Sequence, residues 1–429
     1  MATRHRVQIF LARQPASGTG AGTYVELDVV ESYAITLDVL SPGNAVTFTL
    51  WRSADRRSVW STLIGDLARC GAPFLVKVDG VTMLTGFIEE VKEIAGRGGA
   101  TIVLTGRDEA AKALDWDADP SISFRQLTIE DAYRRLYGSL GLNVVFAHDA
   151  SVKLALVTPV PQGGSGRHSR RASHLSTIDR GRARVGEKVW SVGESFATHV
   201  GLWQWVAPLE GHDSMAIVLG VPDYKAAPFY TFERRVELFS GEATGNILQG
   251  EHVVSTRAVP TRVKVLAHGQ RGDALASHLA AEYPLANENA VLYDETITGG
   301  RVYRPHPAQP RFVQSARART RERTEQEANR LYAKAMKGVR TYRASVQGHS
   351  QEHNGVTRLY APNTTATITD EILRVDGKWY LHRVTLKGDR KGGATSDLGL
   401  IPVNAVQLTV GVREGEAAPV PTPPKRRTS

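Results

Sequence analysis

Three aspartates, Asp115, Asp117 and Asp119, alternate along the segment that follows an apolar strand-like run. Alternating acids are the first ligands of a helix–loop–helix calcium loop, which also needs glycine at its sixth position and a bidentate glutamate at its twelfth. Counted from Asp115, these positions hold Pro120 and Gln126. Proline does not make that turn and a neutral amide does not replace the carboxylate. The sequence therefore predicts a solvated domain junction here and no metal site.

The pattern His-x-x-Glu-His, formed by His349, Glu352 and His353, is a second candidate for chemistry. In zinc hydrolases with this pattern, two histidines one helical turn apart bind the metal and the glutamate activates water. That geometry requires a helix. Here Gly348 and Gly355 bound a polar stretch between two strand-like runs, which predicts a hairpin loop. A metal-dependent hydrolase using these three residues is kept as an alternative.

Weaker motifs lack the context that their chemistry needs. The glycine-rich run at residues 18–23 has no strand before it and no helix after it, as a dinucleotide site requires. Arg167 stands where a nucleophile elbow around Ser165 would need glycine. Cys70 has no histidine or asparagine nearby in the sequence. We therefore predict no catalytic, cofactor-binding or metal-binding residues, no cofactor and no enzyme activity, and the interface residues stay unknown.

The composition is that of an ordinary globular protein with a basic bias. A length of 429 residues predicts two to four domains, and fractions of 41% hydrophobic and 23% charged residues are ordinary for a globular protein. A net charge of +9 does not by itself identify a polyanion-binding protein. Much of the positive charge lies in an arginine-rich stretch at residues 162–186. We favour a solvated loop there, with a nucleic-acid-binding arm as the alternative.

Cellular location follows from what the chain lacks. One cysteine, Cys70, does not form an intrachain disulfide. The apolar run from Val7 to Ala12 is too short for a signal peptide, and no stretch approaches the roughly 18 apolar residues of a membrane span. We expect no membrane-spanning segment and assembly in a cytoplasm-like compartment.

Both ends of the folded chain predict antiparallel β-structure. In the first hundred residues, the turn at residues 41–44 and the dipeptide Asp79-Gly80 each separate two strand-like runs. The alternating pattern resumes after Gly241, and Asp376-Gly377 marks a further hairpin. Short strands at this spacing favour a sandwich or barrel over a parallel sheet.

Between the β-regions the sequence predicts a duplicated helix–strand unit. Thr128 as N-cap, with Asp131 three residues later, starts a helix that ends at Gly141 and precedes a strand. Sixty residues later "GEKVWSVGESFATHVGLWQWV" predicts a second helix, ending at Gly201, and a second strand. A charged helix further on has an apolar side formed by Ala328, Leu331, Ala335 and Met336.

These patterns predict a mainly β protein with α+β insertions. The expected units are a first β-domain at 1–114, an α/β insert at 115–235, a second β-domain at 236–268 and 340–411, a helix-containing insertion at 269–339, and a disordered tail at 412–429.

The order of these pieces resembles the baseplate hub proteins of Mu-like contractile-tailed phages. The stretches that carry the resemblance are "VDGVTMLTGFIEEV", "LTGRDEAAKALD", "GEKVWSVGESFATHVGL", "EQEANRLYAKAMKGVRTYRASVQG" and "LYAPNTTATITDEILRVDGKWYLHRVTLKG". They extend from about Tyr24 to Gln407, and the architecture is also similar to late-control hub proteins and to the hub part of type VI secretion spike proteins. The arginine-rich stretch at 162–186 and the tail lie outside the match.

The resemblance implies a structural protein of the virion tail baseplate, assembled in the bacterial host cytoplasm. It implies two tail-tube-like β-barrel domains per chain and a trimeric ring that adapts a sixfold tail tube to a threefold central spike. The implied partners are two further copies of the chain, the spike protein, tail tube or tube-initiator proteins, baseplate wedge proteins and the tape-measure protein. DNA would cross the channel without being bound specifically.

Overall fold

The computed structural model describes most of the chain. The described residues are 5–13, 23–27, 30–52, 67–96, 99–124, 127–147, 177–178, 182–199, 202–209, 211–237, 241–255, 257, 262–267, 280–283, 310–315, 328, 331, 333–353, 355–390 and 393–410. The predictions for the tail at 412–429, for Gly201 and for most of the arginine-rich stretch at 162–186 lie outside the described residues.

Seven strands form the first β-domain: β1 (Val7–Arg13), β2 (Thr23–Glu26), β3 (Val30–Asp38), β4 (Ala45–Arg52), β5 (Pro73–Val78), β6 (Val81–Gly96) and β7 (Gly99–Asp108). They are ordered β3-β4-β7-β6-β5-β1-β2, and each neighbouring pair is antiparallel. Asp79 and Gly80 join β5 to β6 with φ angles of 50° and 81°. The predicted hairpin is therefore confirmed, because these are the positive φ values that such a two-residue turn needs.

The middle of the chain folds as two helix–strand units. Its elements are α1 (Ala111–Asp115), β8 (Leu127–Thr128), α2 (Ile129–Gly138), β9 (Asn143–Phe146), β10 (Thr177–Ile178), α3 (Val189–His199), β11 (Trp203–Pro208) and β12 (Met215–Gly220). α2 packs on β9 and α3 packs on β11, while β12 lies between the two strands, parallel to β9 and antiparallel to β11. These are the two units that the sequence predicted.

Helix α2 begins where the sequence predicted and ends earlier. Thr128 is its N-cap, and the Thr128 hydroxyl oxygen accepts the backbone N–H of Asp131 at 3.1 Å. The last helical residue is Gly138, three positions before Gly141. Backbone N–H groups of the next residues turn back to the carbonyls of Tyr137 and Gly138, and Gly141 then reverses the chain with a φ of 70°.

The three-stranded sheet of the insert is buried on both faces. Every residue of β11 and β12 is buried, and alternate side chains enter two separate apolar clusters. One cluster is the main core, which includes α2 and α3. The other contains Trp203, Trp205, Ala207, Ala216 and Val218. It also contains Tyr380, Ile401 and Val406 of the second β-domain, so the insert is packed against that domain.

The rest of the chain forms the second β-domain and two small sheets. Its elements are β13 (Tyr230–Val236), β14 (Ala243–Gly245), β15 (Ile247–Val254), β16 (Arg262–Ala267), β17 (Ala280–Tyr283), β18 (Pro310–Ser315), β19 (Arg340–Gln347), β20 (Ser350–His353), β21 (Val356–Leu359), β22 (Thr364–Asp370), β23 (Val375–Asp389), β24 (Gly393–Pro402) and α4 (Val403–Val410). β16 pairs with β17 and β18 of the expected insertion at 269–339, in a separate sheet.

One long strand joins the two β-domains into a single sheet. The first half of β23 pairs with β22, and its second half pairs with β3 of the first β-domain along the same edge. β24 pairs with β23 along the other edge and carries β19 and β15 beyond it. The result is a 14-stranded mixed sheet in which the described strands form no closed barrel. The expected pair of barrel-like domains is therefore one open, shared sheet in the described part of the chain.

The predicted charged helix is described only in part. Residues 328, 331 and 333–336 are helical. Ala328 and Met336 are fully buried, and Leu331 and Ala335 are half-buried, so all four predicted apolar positions face inward. Among the residues that the structure describes, no helix is long and apolar enough to cross a membrane.

Candidate functional site

The three aspartates of the junction segment bind three different partners. The Arg107 guanidinium donates to Asp115 at 2.6 Å, and the Lys188 ammonium donates to Asp117 at 2.7 Å. Asp119 accepts the backbone N–H two residues further on, at 2.8 Å. The carboxylates do not converge on a common point. Instead, the Asp117–Lys188 pair fastens the segment to the start of α3.

The predicted hairpin around the His-x-x-Glu-His pattern is present, but the pattern does not lie in its loop. Glu352 and His353 are on the first strand, β20, and His349 immediately precedes it in the chain. Residues four apart on a strand are about 13 Å apart, whereas zinc ligands each lie about 2 Å from the metal. His349 is fully buried, and Glu352 and His353 are exposed. The described residues contain no group of three or more His, Cys, Asp or Glu side chains placed to hold a metal ion.

His349 belongs to a polar cluster that joins the two β-domains. This histidine cluster consists of His5, Tyr33 and Asp79 from the first β-domain and His349 and Ser396 from the second. His349 Nε2 lies 2.7 Å from Tyr33 Oη, and its Nδ1 lies 3.0 Å from Ser396 Oγ. The His5 ring stacks on His349 with a centroid distance of 5.2 Å, and His5 Nδ1 lies 2.7 Å from Asp79 Oδ2.

The hydrogen bonds of the cluster identify His349 as a neutral imidazole. The Ser396 hydroxyl donates to the carbonyl of Gly348 at 2.7 Å, so its oxygen accepts from His349 Nδ1–H. Nε2 then accepts from the Tyr33 hydroxyl. Burial, with a smaller contribution from the neighbouring His5, lowers the pKa of His349 to about 4. Burial also raises the pKa of Tyr33 to about 12, so its hydroxyl stays a donor at neutral pH.

Asp79, His5 and Ser350 are connected in the same order as the acid, base and nucleophile of a catalytic triad. His5 Nδ1 contacts Asp79, and His5 Nε2 lies 3.3 Å from the hydroxyl oxygen of Ser350. A nucleophilic serine also needs an open approach and donors for an oxyanion. The His5 side chain is only 1% exposed and is covered by the His349 ring. This packing supports a structural role, in which the three groups satisfy one another across the domain junction.

Sequence reasoning did not identify the histidine cluster. It used Asp79 only as a turn residue, and it assigned no role to His5 or Tyr33. Tyr33 and His349 are 316 residues apart and meet only through the pairing of β3 with β23. No local spacing pattern signals such a contact, so the sequence offered no motif by which to find it.

The face of the shared sheet opposite the core is polar across both β-domains. This polar sheet face is built from residues that alternate with fully buried apolar ones along each strand. For example, Lys387 stands opposite Ala34, which stands opposite Thr47 on β4. The hydroxyl side chains on this face are Ser32, Thr36, Thr47, Thr49, Thr101, Thr105, Ser345, Thr385 and Thr395.

Charged side chains on the polar sheet face form pairs between strands. Arg343 contacts Glu251 at 3.2 Å, and Lys387 contacts Asp397. Two shallow grooves of about 380 Å³ and 330 Å³ lie on this face, and Lys387 lines both. Small hydroxyl groups and paired charges hold water well and offer little apolar surface for adhesion. The polar sheet face therefore has the character of a hydrated surface and not of a ligand-binding pocket.

Comparison with known proteins identifies a shared fold. No protein-family model and no curated protein matches the chain. Among solved structures, the prophage MuSo2 tail protein from Shewanella oneidensis is 14% identical with a TM-score of 0.65, covering 93% of this chain and 99% of that one. The tail protein from Neisseria meningitidis is 19% identical with a TM-score of 0.62, covering 94% and 99%. A prophage tail protein from Listeria monocytogenes is 11% identical with a TM-score of 0.51, covering 91% and 94%. The chain thus has the fold of phage tail proteins.

Proposed function

We propose that the chain is a structural hub of a contractile phage-tail baseplate, of the Mu-like type. In this proposal three copies form a ring that adapts a sixfold tail tube to a threefold central spike. Two β-domains per chain supply six similar domains to the ring, while three chains match the spike. The observation that carries the proposal is a fold shared with phage and prophage tail proteins over more than 90% of the chain.

In such a ring we place the polar sheet face toward the channel. Its hydroxyl groups and paired charges would let DNA or a tape-measure protein pass without adhering, since tight binding of either would hinder ejection. Neighbouring chains would complete the tube-like barrels. Among the described strands, β2 pairs only with β1 and β15 only with β19, which leaves edges to which a second chain can add.

The proposal assigns partners and a location. The chain would contact two further copies of itself, the central spike protein, the tail tube or tube-initiator proteins, the baseplate wedge proteins and the tape-measure protein. It would be assembled in the bacterial host cytoplasm and would reside in the virion baseplate. Its task would be mechanical, carried by trimer contacts of more than ~2,000 Å² that persist through sheath contraction.

Mass in solution tests the ring. We expect light scattering over a concentration series, alone and with a spike partner, to give three chain masses, and negative-stain images of the same sample to show a ring with a central hole. A monomer that forms no ring even with the spike protein would contradict the proposal.

A matched pair of substitutions tests the orientation of the sheet. Thr47→Trp places a bulky ring on the polar sheet face, whereas Thr357→Trp places the same ring on the exposed β20–β21 hairpin. We expect both variants to assemble, and only Thr47→Trp to slow DNA ejection from reconstituted particles. Loss of trimers in Thr47→Trp alone would show that this face is an interface and not a channel wall.

Neither alternative gains support from a specific contact. Glu352 and His353 lie on a strand, and both ring nitrogens of His349, just before that strand, are hydrogen-bonded. The arginine-rich stretch that would bind nucleic acid lies mostly outside the described residues. Nonspecific attraction of a basic protein to DNA rests on phosphate contacts and weakens steeply with salt. DNA association that persists at high salt would therefore favour the nucleic-acid alternative over a hub.

A further inference from the structure

A small cavity containing a lysine ammonium lies where several parts of the chain meet. The cavity measures about 80 Å³ and is lined from residues 39–42, α3, β11, Lys334, Lys337 and α4. The Lys337 Nζ lies 4.1 Å from the centroid of the Trp203 ring. That ring is fixed in place because its Nε1–H donates to Thr409 Oγ1 at 3.0 Å. The ammonium therefore sits over a rigid aromatic wall.

The Lys337 ammonium has no anionic partner among the described residues. Glu194 is the one carboxylate among the lining residues, and it pairs with Lys334 at 3.1 Å. Asp38 is held by His382, with 3.1 Å between its Oδ1 and the His382 Nδ1. Burial, reinforced by the charge of Lys334, lowers the pKa of Lys337 to about 8. This is the behaviour of an ammonium that has lost water without gaining a counterion.

We propose that this cavity binds a small carboxylate, whose oxygens accept from the Lys337 ammonium and whose carbon chain lies against apolar walls. Two ammonium groups and one carboxylate line the cavity, so one further negative charge neutralises it. A phosphate dianion fits less well, because it would add a second negative charge beside Glu194. The apolar walls are Val39, Leu40, Pro42, Trp190, Leu202 and Trp203.

The size of the cavity limits the ligand. A space of about 80 Å³ holds several waters or one organic anion of two to three carbons. Two sources have this chemistry: a free carboxylate from solution, and the side chain of an aspartate or glutamate on a neighbouring chain. The inference holds for either source and does not depend on the proposed hub function.

Competitive labelling of the purified full-length chain tests the site. Lysines are acetylated in trace amounts with an activated ester at pH 7.5, with sodium propionate as the probe and sodium chloride at equal ionic strength as the control. Peptide mass spectrometry then reports the labelling rates of Lys337 and of the exposed Lys92, which is not among the lining residues and serves as an internal reference. At ten times the dissociation constant about one site in eleven stays free, so we expect labelling of Lys337 to fall about tenfold and that of Lys92 to stay unchanged.

Two variants give an independent readout. Propionate should raise the melting temperature of the wild type and of Lys337→Arg, which keeps the positive charge, and should leave Lys337→Met unshifted. Unchanged labelling of Lys337, equal slowing of both lysines, or a full shift in Lys337→Met would overturn the proposal.

Labelling of dilute and concentrated protein without propionate separates the two sources of the carboxylate. Protection of Lys337 only at high concentration identifies the side chain of a neighbouring copy, and equal labelling at both identifies a free carboxylate.

Discussion

Lowering the pH from 7 to 4 should weaken the junction between the two β-domains through His349. The buried His349 imidazole has a pKa of about 4 in the folded protein, against 6.5 for an ordinary histidine. Between these values the unfolded chain binds the proton and the folded chain does not. Stability that is fully present above pH 6.5 is therefore lost progressively as the pH falls toward 4.

The magnitude follows from the same two pKa values. Each unit of pKa difference corresponds to about 1.4 kcal/mol. At pH 4 the protonation of His349 should therefore lower the free energy of unfolding of the protein by about 3 kcal/mol. No reduction for solvent screening is needed, because His349 is fully buried. The physical cause is specific: a protonated Nε2 would have to donate to Tyr33, whose hydroxyl now donates to it.

Urea unfolding at a series of pH values measures this loss. His349→Gln is the control, because glutamine retains a donor and an acceptor but does not titrate. Buried Asp108, whose pKa burial raises to about 7, acts in the opposite direction over the same range. Its effect is common to both proteins and cancels in their difference. We expect the wild type to lose about 3 kcal/mol more than His349→Gln between pH 7 and 4. Parallel pH profiles for the two proteins would refute the reasoning.

Two further substitutions test packing elsewhere. Asp370→Asn leaves the largely buried Arg234 guanidinium without its carboxylate, now 2.6 Å away, and should cost about 3–5 kcal/mol in urea unfolding; a loss below 1 kcal/mol would contradict a structural role for the pair. Gly193→Ala places a Cβ 2.1 Å from Tyr137 Oη and should cost about 1–3 kcal/mol by calorimetry. Gly138→Ala, whose Cβ meets no atom within 4 Å, is the control and should be neutral.

Features set by neighbouring residues could be predicted from the sequence. Asp79-Gly80 specifies its hairpin because the positive φ angles are a local property of the two residues. Thr128 specifies the start of α2 through a hydrogen bond to a residue three positions away. The sequence extended α2 through Leu140, two residues beyond its actual end at Gly138, because the turns after Gly138 depend on backbone hydrogen bonds that leave no residue signature. The predicted stop at Gly141 is where the chain reverses.

Features set by distant residues could not be predicted in this way. The alternating pattern of β23 identifies a strand, but nothing in it shows that one half pairs with β22 and the other with β3. Likewise, His349 was recognisable only as part of a local motif, while its actual partner Tyr33 lies 316 residues away. Lys337 carried no signal at all, since its significance arises from burial beside Trp203 and Glu194.

The position of β23 bears directly on how a hub would carry load. Hydrogen bonds connect β23 to β22 and β3 on one edge and to β24 on the other, so force applied to either β-domain reaches the other through a continuous ladder. Separating the domains along this strand would require breaking many backbone hydrogen bonds together, whereas a flexible linker would yield first. The histidine cluster adds side-chain contacts across the same junction. In the proposed hub, a subunit held between a moving tube and a spike would need such a rigid connection, and the shared strand would provide it within one chain.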